Sequence, residues 1–123
     1  MKEILYVAAG GGIGAVFRYL LTKYTTSLFN WSIPLGTLIE NTLGGFLISI
    51  VFGISISTNK ISPGLKLFLT TGMLGGFTTF STFSYETVKL ISEGKYLLGI
   101  CNVLLNVILS LSGAAIGMLI FKS

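Results

Sequence analysis

Apolar residues occupy this chain in four long runs separated by short polar stretches. The first extends from about Ile4 to Leu21 and the second from Ile33 or Pro34 to about Ile56. The third covers about Leu65 to Leu90, and the fourth Tyr96 to Phe121. Crossing bilayer hydrocarbon as a helix takes roughly 17 to 25 predominantly apolar residues, and each run is long enough. Pro34 suits the first turn of a helix, where its missing N–H costs nothing. Ser62-Pro63-Gly64 reads as a turn leading into a helix, and Ser92-Glu93-Gly94-Lys95 joins the last two runs. No linker is long enough to divide the chain, so residues 1–123 form a single four-helix membrane domain. The pattern predicts an all-α integral membrane protein with four transmembrane helices.

Composition agrees. Hydrophobic residues make up 52% of the chain and charged residues only 10%, against about 25% charged in an ordinary soluble domain. Mean hydropathy is +0.88. The 16 glycines then read as close helix contacts rather than loops, because small residues let backbones approach in lipid. With no histidine and one cysteine, Cys101, neither a disulfide framework within the chain nor a His/Cys metal cluster is available. Cys101 lies in an apolar run and reads as a packing or lipid-facing residue. A net charge of +4 raises nucleic acid as a partner, but the basic residues are single and scattered, as loop residues of a membrane protein are. Lys2 with Ile4 to Ala9 resembles the opening of a signal peptide. No polar domain follows it, so the segment is read as a retained first span in a multi-pass protein of the cell inner (plasma) membrane.

Four spans put both termini and the second connection on one side, with Lys2, Lys60, Lys66 and Lys122. The other side carries Arg18, Lys23, Lys89 and Lys95, so the bias is 4 − 4 = 0. Orientation follows the Lys/Arg bias of short loops, and a chain without bias inserts both ways up. The expected assembly is an antiparallel, dual-topology homodimer, two opposed copies resembling the inverted repeats of larger transporters.

The third run predicts a broken helix near Gly75-Thr79. Gly75-Gly76 is followed by Thr78, Thr79 and Thr82, a poor helical sequence inside a span. Backbone leaving the helix at that depth must be buried in protein or line a cavity. Freed carbonyls there suit a cation, and a restarted helix N-terminus favours an anion. Phe77, Phe80 and Phe83 recur every three residues, which lets Phe80 and Phe83 share a face. Such pairs usually pack in cores. Alternatively, their ring edges, the positive end of the aromatic quadrupole, can replace part of an anion's hydration shell without trapping it. Asn41 lies well within the second span, and Asn102, Asn106 and Ser110 recur at i, i+4, i+8 on the fourth. Polar side chains in spans face the bundle interior, to bond another helix or to serve a permeant.

These residues closely resemble the CrcB/Fluc fluoride-channel family. The resemblance is carried by Gly11-Gly12-Ile13-Gly14-Ala15 with Arg18-Tyr19, by Gly36-Thr37-Leu38 with Asn41 and Gly44, and most specifically by Gly75 to Phe83. It covers essentially the whole chain. The resemblance implies passive fluoride efflux from the cytoplasm through two pores per antiparallel dimer. It implies fluoride contacts for Phe80, Phe83, Asn41, Asn102, Asn106 and Ser110, with Thr82 in the same motif, and a vestibule position for Arg18. It also implies a structural sodium ion at the dimer interface, held by the main-chain carbonyls of Gly75 and Thr78.

Glu40 departs from the family pattern, in which a small or aliphatic residue precedes the asparagine. An ionised carboxylate at that depth is costly and repels anions. Its expected counter-charge is Arg18, and its presence leaves room for a non-identical paralogous subunit as partner. Glu40 and Glu86 are the in-span acids that a rival function, proton-coupled drug antiport, would need. That chemistry usually places its acid in the first span, where this chain has none. A scaffold subunit without transport would have no use for the broken span.

Overall fold

The computed structural model describes residues 1–121, and Lys122, counted above in the charge balance, lies outside them. The described chain is helical throughout, with no strand. Helices α1 (Lys2–Leu28), α2 (Leu35–Thr58) and α6 (Tyr96–Ile120) are long and apolar enough to cross a membrane. The remaining leg is bent and built in pieces: α3 (Pro63–Leu67), a π-helical segment (Phe68–Leu74), α4 (Gly75–Phe77) and α5 (Phe80–Ser92).

Burial is inverted relative to a soluble bundle. The buried hydrophobic side chains are Leu38, Phe83 and Leu90, whereas buried polar ones include Thr37, Glu40, Thr70, Thr87, Asn102 and Asn106. Isoleucine, leucine, valine and tyrosine side chains cover the outside. That distribution suits a bilayer, where apolar surface needs no shelter and polar groups must find partners inside.

Two glycine seams hold the bundle. On α6, Gly113 and Gly117 lie one turn apart against Thr42, Phe46 and Ser49 of α2, and a Cβ at either would collide with that helix. Gly10 and Gly14 of α1 face the backbone of Phe68 and Met73, while Gly76 faces Gly11 and Ala15. Small residues every fourth position let backbones touch, which is how helices associate without a hydrophobic drive.

Two expectations are adjusted. Helix α1 runs seven residues beyond Leu21, to Leu28. Lys23 and the threonines end the apolar run without ending the helix, because the Thr25 hydroxyl bonds back within it, to Leu21 O at 2.8 Å. The break is narrower than Gly75-Thr79. Gly75 and Gly76 remain helical, Gly76 seated on α1, and only Thr78 (φ −86, ψ 156) and Thr79 (φ −153, ψ 119) are extended. The π-helical segment just before it has no signature in the apolar pattern; such segments recur at functional sites.

Candidate functional site

The break sits beside a cavity of about 730 Å³ between α2, the bent leg and α6. Its wall includes Asn41, Phe80, Phe83, Asn106 and Ser110, together with Gly75 and Thr78. A second cavity, of about 430 Å³ between α1, α2 and the bent leg, has an entirely apolar lining of residues such as Phe17, Leu43 and Met73. It offers an anion no donor.

Asn41 makes the break affordable. Its Oδ1 accepts from the Thr79 N–H at 2.9 Å, and its Nδ2 donates to the Thr79 carbonyl at 3.2 Å. One side chain on α2 thus replaces helical partners that Thr79 lost, as buried backbone requires. Its second amide hydrogen reaches Asn106 Oδ1 at 3.1 Å. Asn106 donates to the Asn102 carbonyl at 2.8 Å and to Asn102 Oδ1 at 3.2 Å. Asn102 donates to Thr87 Oγ1 at 2.9 Å, and Thr87 donates to the Phe83 carbonyl at 2.8 Å. The amides therefore form a closed chain from the break to α5.

Helix α5 restarts with Thr79 as its cap, the Thr79 Oγ1 accepting from the Thr82 N–H at 3.2 Å. The rings of Phe80 and Phe83 lie 5.5 Å apart with a 49° tilt. Phe80 is 78% exposed and Phe83 8%, so one ring projects outward and the other backs it. On the facing helix, the Ser110 hydroxyl is buried and has no partner among the described residues. It remains a free donor in the cavity wall.

The expected site residues divide accordingly. Asn41, Phe80, Phe83, Asn106 and Ser110 meet in one cavity. Asn102 is fully buried behind it, and Thr82 lies beside the cap, its Oγ1 accepting from Thr79 Oγ1 at 3.1 Å. Glu40 is 1% exposed and Glu86 has a buried Oε1 without a partner; neither lines the cavity.

The Arg18–Glu40 pair is not formed. The one ion pair among the described residues joins the Met1 amino group to Glu3 at 3.2 Å. Arg18 instead donates from Nε to the Gly76 carbonyl at 2.9 Å, and the Glu40 Oε1 accepts from the Thr22 hydroxyl at 2.6 Å. The physical reason is supply: the break frees a carbonyl within reach of Arg18, and Thr22, one turn further along α1, satisfies the carboxyl. Thr22 and Thr87 were not singled out from sequence, and Thr79 only as the end of the expected break. Their only signal was a hydroxyl one turn from Arg18 or Phe83, or at the break itself.

Among the described residues no group of three acidic, histidine or cysteine side chains could hold a metal. Backbone is the remaining source of ligands. The helical partner of the Gly75 carbonyl would be the Thr79 N–H, now taken by Asn41, and that of Thr78 would be the Thr82 N–H, now on Thr79 Oγ1. Both carbonyls are thus left without a hydrogen bond from another described residue, which fits a hard cation.

Known proteins resemble this chain over nearly its whole length. Residues 5–118 match the family model described as CrcB-like protein, Camphor Resistance (CrcB). The chain is 50% identical over 118 residues to a "Fluoride-specific ion channel FluC" of Clostridium novyi, covering 96% of this chain and 92% of that one. It is 47% identical over 123 residues to a protein of the same name from Campylobacter jejuni, covering 99% of each. A third relative of that name, from Citrifermentans bemidjiense, is 39% identical over 123 residues, 100% of this chain and 99% of its own.

Proposed function

This chain belongs to the CrcB-like family, and we propose that it is a multi-pass membrane channel selective for fluoride, working as an antiparallel dimer with two pores. The observation that carries the reading is the cavity wall, where the unpartnered Ser110 hydroxyl lies with the Phe80–Phe83 pair and no charged side chain. A hydroxyl donor and positive ring edges stabilise a small desolvated anion without the fixed charge that would trap it.

The amides of Asn41 and Asn106 donate both their hydrogens, and that of Asn102 donates to Thr87, so they hold this wall in shape. Each one either fixes the break or ties α6 to α5. Fluoride entering against Phe80 replaces water with ring edges and the Ser110 hydroxyl. Passage needs no energy source: a neutral acid crosses lipid and dissociates inside, and a negative interior drives the anion out by about 2.3 kcal/mol per 100 mV. That suits export across the inner (plasma) membrane.

The balanced Lys/Arg distribution supports two opposed copies, a paralogous chain being the other source of an opposed partner. A sodium ion held by the Gly75 and Thr78 carbonyls of both copies would supply positive charge that fastens the two breaks together.

Fluoride release from loaded proteoliposomes, followed with a fluoride electrode, tests the reading. Release should require a potassium ionophore to relieve the charge, and chloride should not substitute. Release driven by a pH gradient without an ionophore would identify coupled transport instead.

A further inference from the structure

We propose that Arg18 is a positioning residue that clamps the break, rather than a vestibule charge that attracts anions; the proposal deepens the channel reading and rests on it for its flux measurements. Had the bent leg continued as a helix, the Gly76 carbonyl would have accepted from the Phe80 N–H. The extended Thr78 and Thr79 remove that donor. Arg18 Nε takes its place at 2.9 Å, from a residue 58 positions earlier in the chain.

The placement follows from α1. Gly10, Gly14 and Arg18 repeat every fourth residue, so they share a face. The two glycines seat the π-helical segment by backbone contact, and Gly76 rests on Gly11 and Ala15. The next residue on that face reaches the last helical turn before the break. An arginine suits the position because its Nε–H is part of a rigid planar fork that stays charged and hydrogen-bonded in a span.

The consequence concerns both halves of the site. Asn41 fixes the far side of the break through Thr79, and Arg18 fixes the near side through Gly76. With these two points held, the Phe80 ring is presented to the cavity in one orientation. The Gly75 and Thr78 carbonyls, on either side of the clamped one, are left pointing to other partners. The guanidinium bonds backbone rather than a carboxylate, and the Glu40 carboxyl takes its hydrogen bond from Thr22 instead.

Steering and clamping predict opposite responses to salt. A steering charge loses its effect when ions screen it, whereas a partly buried hydrogen bond is affected far less. The experiment compares the full-length parent with Arg18→Gln and the more conservative Arg18→Lys, in proteoliposomes from about 10 mM to about 1 M ionic strength. Clamping predicts a flux deficit in Arg18→Gln of roughly tenfold or more that persists at high salt. Amide hydrogen exchange of residues 77–83 should accelerate by a similar factor, with α6 unchanged. Arg18→Lys, which keeps a donor, should lie between the two in both readouts. A deficit that vanishes at high salt, or exchange at the break equal to the parent in both variants, overturns the proposal. Exchange is read whether or not the parent passes fluoride, so a parent without flux would end the channel reading and leave this comparison standing.

Discussion

Asn41 and Thr79 are joined by a reciprocal pair of hydrogen bonds, the amide of one accepting from and donating to the backbone of the other at 2.9 and 3.2 Å. The pair lets a membrane span abandon its helix for two residues without stranding polar backbone. Removing it exposes how much the site depends on it. Asn41→Ala should lose about 1–3 kcal/mol for each backbone group left unpaired, read as a lowered unfolding temperature in detergent, and should abolish most fluoride release. Asn41→Asp keeps the acceptor but sets a carboxylate oxygen against the Thr79 carbonyl and Asn106 Oδ1, and should be at least as harmful. Parent-like flux in Asn41→Ala would show that the break needs no clamp from α2.

Phe80 and Phe83 should separate function from packing. Phe80 is exposed, so Phe80→Ile should cut fluoride release with unfolding temperature unchanged. Phe83 is buried, so Phe83→Ile should lower flux and also cost about 1–2 kcal/mol of stability. If both variants conduct normally, the rings are packing residues.

Glu40 and Arg18 share no hydrogen bond and should couple only weakly. In Glu40→Gln the Thr22 hydroxyl still finds an oxygen acceptor, so stability should hold. The Arg18→Gln/Glu40→Gln double variant should equal the sum of the single effects within about 0.5 kcal/mol. A coupling well above that would mean the two meet as an ion pair in the bilayer.

Glycines two residues apart, on different faces of α1, should differ sharply. A Cβ at Gly14 would meet the Met73 carbonyl, whereas one at Gly12 meets nothing within 4 Å. Gly14→Ala should cost about 1–3 kcal/mol through backbone displacement. Gly12→Ala should be neutral or slightly stabilising, since alanine is the better helix former. Equal unfolding temperatures would argue that α1 does not rest on the bent leg.

Extra lysines in the Ser92–Lys95 loop should force one orientation and lower activity by depleting opposed copies. Co-expression with an oppositely biased copy should restore it. Activity unaffected by either change would exclude an antiparallel pair.

The helical class, the membrane crossings and the broken third leg were legible in the sequence because they follow from local quantities. Run length against bilayer thickness determines a span, and consecutive glycines and threonines weaken a helix wherever they stand. Helical periodicity puts Phe80 with Phe83, and Asn106 with Ser110, on shared faces, but spacing by itself reads the phenylalanines as core, and only the family resemblance points to a pore. Pairing across helices was not legible. The sequence put Arg18 and Glu40 at similar depth, and opposite charge made them natural partners. The fold gave each a different one, because the break released a Gly76 carbonyl beside Arg18 and α1 carried Thr22 to the carboxyl. Where within Gly75-Thr79 the helix gives way was likewise decided by contact: Gly76 has α1 beneath it, and Thr79 has Asn41 to receive it. A side chain's partner depends on which donors and acceptors the whole packing leaves unsatisfied, and only the assembled tertiary structure sets that balance.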